Sequence, residues 1–305
     1  MIKAKNIKKS YGNLNVLRGL CLEVNEGEVY GLVGKNGVGK TTLLSILCGL
    51  NDVDTGFVEI DGKVVDDKTL GSGIVGYLPD VPAFFENLTI EEYLSFLIQG
   101  VDPGLSADKN SRMVELIDKM GLSPGIRIRK LSRGNRQKLG IVAAILAGPK
   151  VLLLDEPMSA LDPMGRRDVV ELIRLLRSEG MTIILSTHIL SDIEQLCDRV
   201  GFLHEGVIAR EVDFMSEAKL LNKCVIVFEK EAQLEVELLK NTFEGYEIEC
   251  VGNEVTVVDK SEELTDEAFQ QDIFKKISTL NLMIVRVERS ESKNIEKIME
   301  SVLGN

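Results

Sequence analysis

Apolar residues in the first 80 positions fall into short runs separated by glycine-containing turns. The runs at 29–33 and 58–60 have the length of strands, and between them we expect a helix at about 39–49. From Thr89 the spacing becomes helical, and Thr89 with Glu92 forms an S/T-x-x-E capping box. Two further helices are predicted at about 109–120 and 132–147, the second capped by the Ser132 hydroxyl.

Strands and helices then alternate up to about position 210. We expect a strand at 151–154, a helix at 163–179 capped by Asp162, a strand at 182–186, and a helix opened by Ser191 with Glu194 as its capping-box partner. Such alternation is typical of a parallel sheet and therefore of an α/β fold.

The pattern changes again after 210, where a second domain is predicted beyond a polar helical segment at 216–222. Its expected strands and helices are, in order, 224–228, 232–240, 246–251, 254–258, 262–279, 282–287 and 293–303. Gly252-Asn253 reads as a two-residue hairpin turn between the two middle strands. The order βαββαβ plus a terminal helix indicates an α+β ferredoxin-like domain. The domain boundaries are thus expected at 1–212, with a helical part at about 81–148, and 213–305.

Charge separates the two predicted domains. Residues 211–305 hold 21 acidic and 11 basic residues, which leaves little of the total charge of −12 for the first part. An acidic surface repels phosphodiester backbones, and the chain has no tryptophan for base stacking, so no nucleic-acid partner is expected.

Neither a membrane span nor a secretion signal is apparent in the apolar pattern. The longest apolar run, 141–147, is far shorter than the roughly 20 residues that cross a bilayer. The lysine-rich N-terminus is followed by no apolar segment, so we expect a cytoplasmic protein. The five cysteines lack the close pairs of a zinc or redox site and are expected to be buried free thiols.

Residues 34–41 carry a phosphate-binding motif. The sequence GKNGVGKT matches G-x-x-x-x-G-K-[ST] and lies between a predicted strand and a predicted helix. Glycines let backbone N–H groups converge on an anion, Lys40 reaches the β- and γ-phosphates, and the Thr41 hydroxyl suits Mg²⁺. A chance match is disfavoured because the strand and helix stand in the right places.

Two acids and a histidine follow the later strands. Asp155 would hold Mg²⁺, and Glu156 would accept a proton from the water that attacks the γ-phosphate. Acids at the end of a strand are more often simply solvated than functional. Because this pair occurs together with the phosphate loop, the functional interpretation is favoured here. His188 could sense the γ-phosphate or be an ordinary surface or core histidine; only the latter is expected for His204.

These segments together resemble the ATP-binding subunit of an ABC transporter, over residues 1 to about 212. The resemblance rests on an ordered series of motifs: Tyr11, GKNGVGKTT at 34–42, GYLPD at 76–80, LSRGN at 131–135, LLLDEP at 152–157, SALD at 159–162, and Thr187-His188. LSRGN is similar to the family signature LSGGQ. It favours this family over a P-loop kinase or a GTPase, which would leave it unexplained.

The resemblance implies a P-loop ATPase sheet domain with an inserted helical subdomain, and two copies or related subunits closing around two ATP molecules with Mg²⁺. Glu156, His188 and Lys40 would be catalytic, and Thr41, Asp80 and Asp155 would serve the metal. The other implied residues are Tyr11, Val16, Asn36, Gly37, Val38, Gly39, Lys40, Thr41 and Thr42 for the nucleotide, Ser132, Arg133, Gly134 and Asn135 for the opposite ATP, and Ser159 and Asp162 for the opposite loop.

The chain departs from the family pattern at two places. Asp80 stands where glutamine is usual; aspartate still offers an oxygen to Mg²⁺ but cannot donate a hydrogen bond. Arg133 and Asn135 replace glycine and glutamine in the signature, whereas Gly134 is retained. These changes leave the direct role of Asp80 open and are compatible with slow or partner-dependent hydrolysis.

The resemblance implies an ATP-hydrolysing subunit that powers transport, with export favoured, through separate integral membrane subunits at the cytoplasmic face of the membrane. Phe84, Phe85 and Leu88 are candidates for contact with those subunits or for the core of the helical part. The alternative is a soluble regulatory ABC-type ATPase without a transport role.

Overall fold

The computed structural model describes residues 2–69, 72–101, 107–214, 222–229, 236–259, 266–280 and 282–289. They divide into two compact units, with the boundary between Val212 and Asp213.

The first unit contains ten strands and six α-helices within its described residues. The strands are β1 (Ile2–Tyr11), β2 (Leu14–Val24), β3 (Val29–Val33), β4 (Thr55–Ile60), β5 (Lys63–Val64), β6 (Val75–Leu78), β7 (Val151–Asp155), β8 (Thr182–Thr187), β9 (Arg199–His204) and β10 (Val207–Asp213). The helices are α1 (Lys40–Leu47), α2 (Ile90–Val101), α3 (Ala107–Lys119), α4 (Arg133–Ile145), α5 (Pro163–Ser178) and α6 (Leu190–Leu196).

The strands form two sheets. Four of them make a sheet of order β2-β1-β4-β5, in which neighbouring strands run antiparallel. The other six have the order β10-β9-β3-β8-β7-β6, with parallel pairing from β9 through to β6. Every residue of β3, β7 and β8 is buried, as expected for parallel strands covered on both faces. Side chains of the first sheet, α1 and the second sheet share one apolar core.

Parallel pairing brings the carboxyl ends of β3, β8, β7 and β6 to one edge of the sheet. The phosphate loop follows β3, Asp80 follows β6, Asp155 and Glu156 stand at the end of β7, and Ser186 to His188 stand at the end of β8. This is the edge at which open α/β sheets bind ligands.

Three of the four predicted helix caps are confirmed. Thr89 and Glu92 exchange the two hydrogen bonds of a capping box, at 2.8 and 3.2 Å. Ser132 Oγ accepts from Asn135 N, and Asp162 Oδ1 accepts from Gly165 N. The box predicted from Ser191 and Glu194 is wrong: α6 begins at Leu190, so Ser191 lies inside its first turn and Ile189 occupies the N-cap position.

A buried polar network joins β3, β9 and β10. Tyr30 is fully buried, and its hydroxyl donates to Glu211 Oε1 at 2.6 Å. Arg199 donates to Glu211 Oε1 and Glu28 Oε1, both at 3.1 Å, and its guanidinium lies 5.4 Å from the centre of the Tyr30 ring. Burial, reinforced by the Glu211 carboxylate, raises the pKa of Tyr30, so the hydroxyl remains a donor.

The second unit contains, in its described part, β11 (Asn222–Phe228), α7 (Val236–Thr242), β12 (Glu247–Val251), β13 (Glu254–Asp259), α8 (Asp266–Ser278) and β14 (Ile284–Arg289). The sheet order is β12-β13-β11-β14, with antiparallel pairing throughout. Alternate residues of β11 and β13, such as Ile226 and Val257, pack with Phe243, just after α7, and with Phe269 of α8. Gly252 adopts φ 59° in the predicted hairpin turn.

Several expected element bounds shift by a few residues or lie beyond the described chain. The last strand runs Ile284–Arg289 rather than 282–287, and Asn222, expected to be helical, begins β11. Residues 216–221 and the predicted helix at 293–303 lie outside the described residues, as do 232–235 and 262–265.

The cysteines are free thiols, but not all of them are buried. Cys48, Cys197 and Cys224 are buried, and burial raises the pKa of both Cys48 and Cys224 to about 11. Cys21 is exposed, contrary to expectation, because it lies on the outward side of β2, where inward and outward residues alternate.

Candidate functional site

The phosphate loop connects β3 directly to α1. Gly37 and Gly39 adopt φ 80° and 115°, a region that favours glycine, and Gly39 is the N-cap residue of α1. A Cβ atom at Gly34 would lie 2.6 Å from Leu203 O, so a side chain does not fit there. The loop therefore turns back over the start of α1, where helix N–H groups remain available to an anion.

The Lys40 side chain packs against the phosphate loop rather than extending into solvent. It is 6% exposed, and Nζ donates to Gly34 O at 2.8 Å. The same Nζ is 3.8 Å from Glu156 Oε1. The ammonium group thus lies between the loop backbone and the acid at the end of β7.

Asp155 is held by two hydroxyl groups. It is 1% exposed; Thr41 Oγ1 donates to Oδ2 and Ser186 Oγ donates to Oδ1, each at 2.5 Å. Because the Thr41 proton is used on Asp155, the lone pairs of its oxygen are directed away from the acid and remain available to a cation. One buried carboxylate therefore ties together α1, β7 and β8.

Among the described residues of the site, Glu156 is the only non-glycine residue with a positive φ. It adopts φ 48°, unusual for a residue with a Cβ atom. His188 Nδ1 lies 2.9 Å from Glu156 Oε2, and the His188 side chain is about half exposed. The carboxylate therefore faces two partners, Lys40 and His188, one on each oxygen.

Ser186 and Gln137 are the two site residues that sequence reasoning missed. Ser186 Oγ also accepts from Glu156 N at 3.0 Å, and Gln137 Nε2 donates to Glu156 O at 3.3 Å. A polar residue at the end of the strand next to Asp155 was the available signal for Ser186. Gln137 lies on α4, and no local pattern connects it with β7.

Tyr11 and Val16 flank the hairpin between β1 and β2. Tyr11 is exposed, and its hydroxyl accepts from Asn51 Nδ2, whose amide also donates to Ser45 Oγ on α1. Val16 approaches the phosphate loop, since a Cβ atom on Gly39 would lie 3.0 Å from Val16 Cγ1. Asn36 in the loop and Thr41 in the first turn of α1 are exposed, whereas Val38 and Thr42 are half-buried.

Asp80 lies at the sheet edge beside β7 and is exposed. The pKa of Tyr77, three residues earlier, is raised by burial first, then by the charge of Asp155 and, more weakly, of Asp80. Asp80 thus adds negative charge at the end of the sheet where Asp155 already stands.

A second group lies at the exposed start of α4. Ser132 and Arg133 are exposed, and a Cβ atom on Gly134 would lie 3.1 Å from Ala160 O, so α4 packs closely on the loop that follows Glu156. In that loop, Ser159 is exposed and its amide donates to Glu156 O at 3.2 Å. The structure therefore links the start of α4, residues 159–162 and Glu156 by direct packing.

In the described part of the chain, no helix combines the length and apolar character needed to cross a membrane.

Comparison with known proteins agrees with this geometry. Residues 17–159 match the family described as ABC transporter. The lantibiotic transport ATP-binding protein SrtF of Streptococcus pyogenes is 35% identical over 234 residues, which cover 75% of this chain and 99% of SrtF. The bacitracin transport ATP-binding protein BcrA of Enterococcus faecalis is 31% identical over 310 residues, covering 100% of this chain and 96% of BcrA.

Solved structures show the same fold. The dimeric structure of MJ0796, a bacterial ABC transporter cassette, matches with a TM-score of 0.65 and 27% identity, covering 70% of this chain and 98% of the cassette. A dimeric post-hydrolysis state of that cassette with ADP and Pi matches equally well, at a TM-score of 0.65 and 26% identity. The chain belongs to the ABC transporter family of ATP-binding proteins and is an ATP-hydrolysing subunit of that family.

Proposed function

We propose that this subunit powers export of an antimicrobial peptide or similar amphiphile through separate integral membrane subunits, at the cytoplasmic face of the membrane. Two sets of contacts at the sheet edge support ATP hydrolysis as the source of energy. Thr41 donates to Asp155, and the Glu156 carboxylate contacts both Lys40 and His188. The cargo class is supported by SrtF and BcrA, whose names refer to lantibiotic and bacitracin transport.

ATP binding begins with the triphosphate. The loop amides and the N-terminal end of α1 favour its negative charge, and Lys40 neutralises the β- and γ-phosphates. We assign the adenine to the exposed ring of Tyr11, with Val16 beside it. Asn36, Gly37, Val38, Gly39, Thr41 and Thr42 supply the rest of the loop contacts.

The residues present fit Mg²⁺. Thr41 Oγ1 and Asp155 Oδ2 are hard oxygen donors 2.5 Å apart, the chemistry that Mg²⁺ prefers. An ion at this site would be held by few protein groups together with nucleotide phosphates and water. When bound, it would neutralise charge on the β- and γ-phosphates. We assign the Asp80 carboxylate to the same site as a further oxygen ligand for Mg²⁺.

Hydrolysis uses Glu156 as the general base. As water oxygen attacks the γ-phosphorus, its proton passes to the Glu156 carboxylate and the bond to the β-phosphate oxygen breaks, giving ADP and Pi. His188 Nδ1 holds the carboxylate, which leaves Nε2 free to face the γ-phosphate. Lys40 stabilises charge on the phosphate being transferred.

A second copy or a related subunit completes each site. We assign Ser132, Arg133, Gly134 and Asn135 to the ATP of the opposite subunit, because Ser132 and Arg133 are exposed at a helix N-terminus. Ser159 and Asp162 would meet the opposite phosphate loop. The dimeric MJ0796 cassette supports this arrangement.

We assign residues 1–212 to the ATP-binding domain, with 81–148 as its inserted helical subdomain, and 213–305 to a regulatory or dimerising domain. The order β12-β13-β11-β14 with two helices on one face supports a ferredoxin-like fold for the latter. The exposed Phe85 and Phe96 on the helical part are assigned to contact with the membrane subunits.

The test combines two substitutions with fractionation. Glu156→Gln should keep ATP binding and give a stable dimer by light scattering with Mg-ATP, whereas Lys40→Ala should lose ATP binding. Membrane association should require co-produced integral subunits. A pool that stays soluble in their presence would favour the alternative, a soluble regulatory ABC-type ATPase, and absence of the dimer would remove the assigned interface.

A further inference from the structure

Gln137 connects α4 with the acid at the end of β7. It lies little more than one helical turn after Ser132, the N-cap residue of the same helix, and is 2% exposed. Its Nε2 donates to Glu156 O at 3.3 Å, and Ser159 N donates to the same oxygen at 3.2 Å. A side chain from α4, the signature helix that begins within LSRGN at 131–135, therefore holds the backbone of the proposed general base.

The backbone of Glu156 requires such support. A residue with a Cβ atom at φ 48° remains there only where its surroundings hold it. On the amino side, Glu156 N donates to Ser186 Oγ at 3.0 Å and lies 3.2 Å from Ser186 O. On the carbonyl side, Gln137 supplies the side-chain donor. Because the carboxylate follows the backbone, both contacts set its direction toward Lys40 and His188.

We propose that Gln137 is a positioning residue that anchors Glu156 to the signature helix, so that hydrolysis in one site depends on the placement of the helix that meets the other ATP. This rests on the proposed function, in which Ser132 faces the opposite nucleotide and Glu156 serves the chain's own. The bond is directional: an amide N–H donates to a carbonyl oxygen, and a carboxylate at 137 would place acceptor against acceptor.

The decisive measurement is the split between turnover and binding. Gln137→Met keeps the length of the side chain and removes the donor; Gln137→Glu keeps the shape and reverses the polarity. Both should lower kcat about tenfold, as expected for loss of one orienting hydrogen bond, with the Kd for ATP within about twofold of the wild type. The two variants together guard against one of them failing to fold.

Lys138→Met is the matched control. Lys138 is the next residue on α4 and bonds to Met120 O and Asp168 Oδ2, away from Glu156. The Lys138→Met substitution should lower Tm but should not lower kcat. If Gln137→Met instead changes kcat no more than Lys138→Met does at equal Tm, or if kcat is unchanged, the proposal is wrong.

A double variant separates positioning from assembly. In the Glu156→Gln background, Gln137→Met should cause no further loss of kcat, because the group that it positions is already removed. The Mg-ATP dimer should persist. Loss of the dimer in the double variant alone would show that Gln137 acts on the interface and would overturn the proposal. Absence of a dimer in Glu156→Gln itself would count against the proposed dimer mechanism, and the kcat comparison would still decide the role of Gln137.

Discussion

Thr41 Oγ1 and Asp155 Oδ2 are 2.5 Å apart, and this hydrogen bond joins the first turn of α1 to the end of β7. The threonine proton is donated to the acid, so the lone pairs of the Thr41 oxygen remain available to a cation. In the proposed function, the two residues would form one preformed part of the Mg²⁺ site.

Thr41→Val should weaken Mg²⁺ use, because it removes both the oxygen assigned to Mg²⁺ and a donor to Asp155. We expect the Mg²⁺ concentration for half-maximal ATPase activity to rise about 10- to 100-fold. Thr41→Ser keeps the hydroxyl and serves as the control, with little change expected. An equal shift in both variants would mean that the hydroxyl is not a ligand.

His188→Ala should reduce turnover more than binding. Its imidazole contacts Glu156 Oε2, so its loss would free the proposed base and remove the donor assigned to the γ-phosphate. We expect kcat to fall about 100-fold, with the Kd for ATP nearly unchanged. His204, the other histidine of the chain, lies at the end of β9, and His204→Ala should leave kcat as it is. Similar kcat values for the two variants would remove His188 from the site.

Ser132→Ala should impair dimerisation. The substitution removes an N-cap, which costs about 1 kcal/mol, and also the hydroxyl assigned to the opposite ATP. Thr89→Ala is the matched control, since Thr89 caps α2 in the same way. Both should lower the free energy of unfolding by similar amounts in urea. In the Glu156→Gln background, only Ser132→Ala should raise the subunit concentration needed for Mg-ATP dimers; a parallel effect of Thr89→Ala would point to general destabilisation.

Gly39→Ala should strain the phosphate loop. Gly39 has φ 115°, and an added Cβ atom would lie 3.0 Å from Val16 Cγ1 and 3.1 Å from Leu17 Cδ2. We expect a loss of about 1–3 kcal/mol in the free energy of unfolding and weaker ATP binding. Gly100→Ala, at an exposed position of α2 with nothing within 4 Å, should stabilise the protein by about 0.5–1 kcal/mol. Unaltered stability in Gly39→Ala would contradict the strain argument.

Local patterns identified the chemistry better than the connections between elements. The phosphate loop and the caps at Thr89, Ser132 and Asp162 depend on residues within a few positions of one another, and the sequence displays them directly. Ser186 and Gln137 act across elements: Ser186 reaches Asp155 because β8 lies beside β7, an adjacency that alternation of strands and helices does not specify. The cap of α6 was misplaced because Ser191 matches the motif, whereas the helix already begins at Leu190.

The Tyr30 hydroxyl has a practical bearing on where the protein can be cut. Its acceptor, Glu211, sits almost at the end of the first unit, whereas Tyr30 itself belongs to the strand that leads into the phosphate loop. Truncation ahead of Glu211 would leave the buried Tyr30 hydroxyl without its acceptor inside the first unit. A fragment meant to hydrolyse ATP on its own must therefore extend past Glu211 to the end of β10 at Asp213.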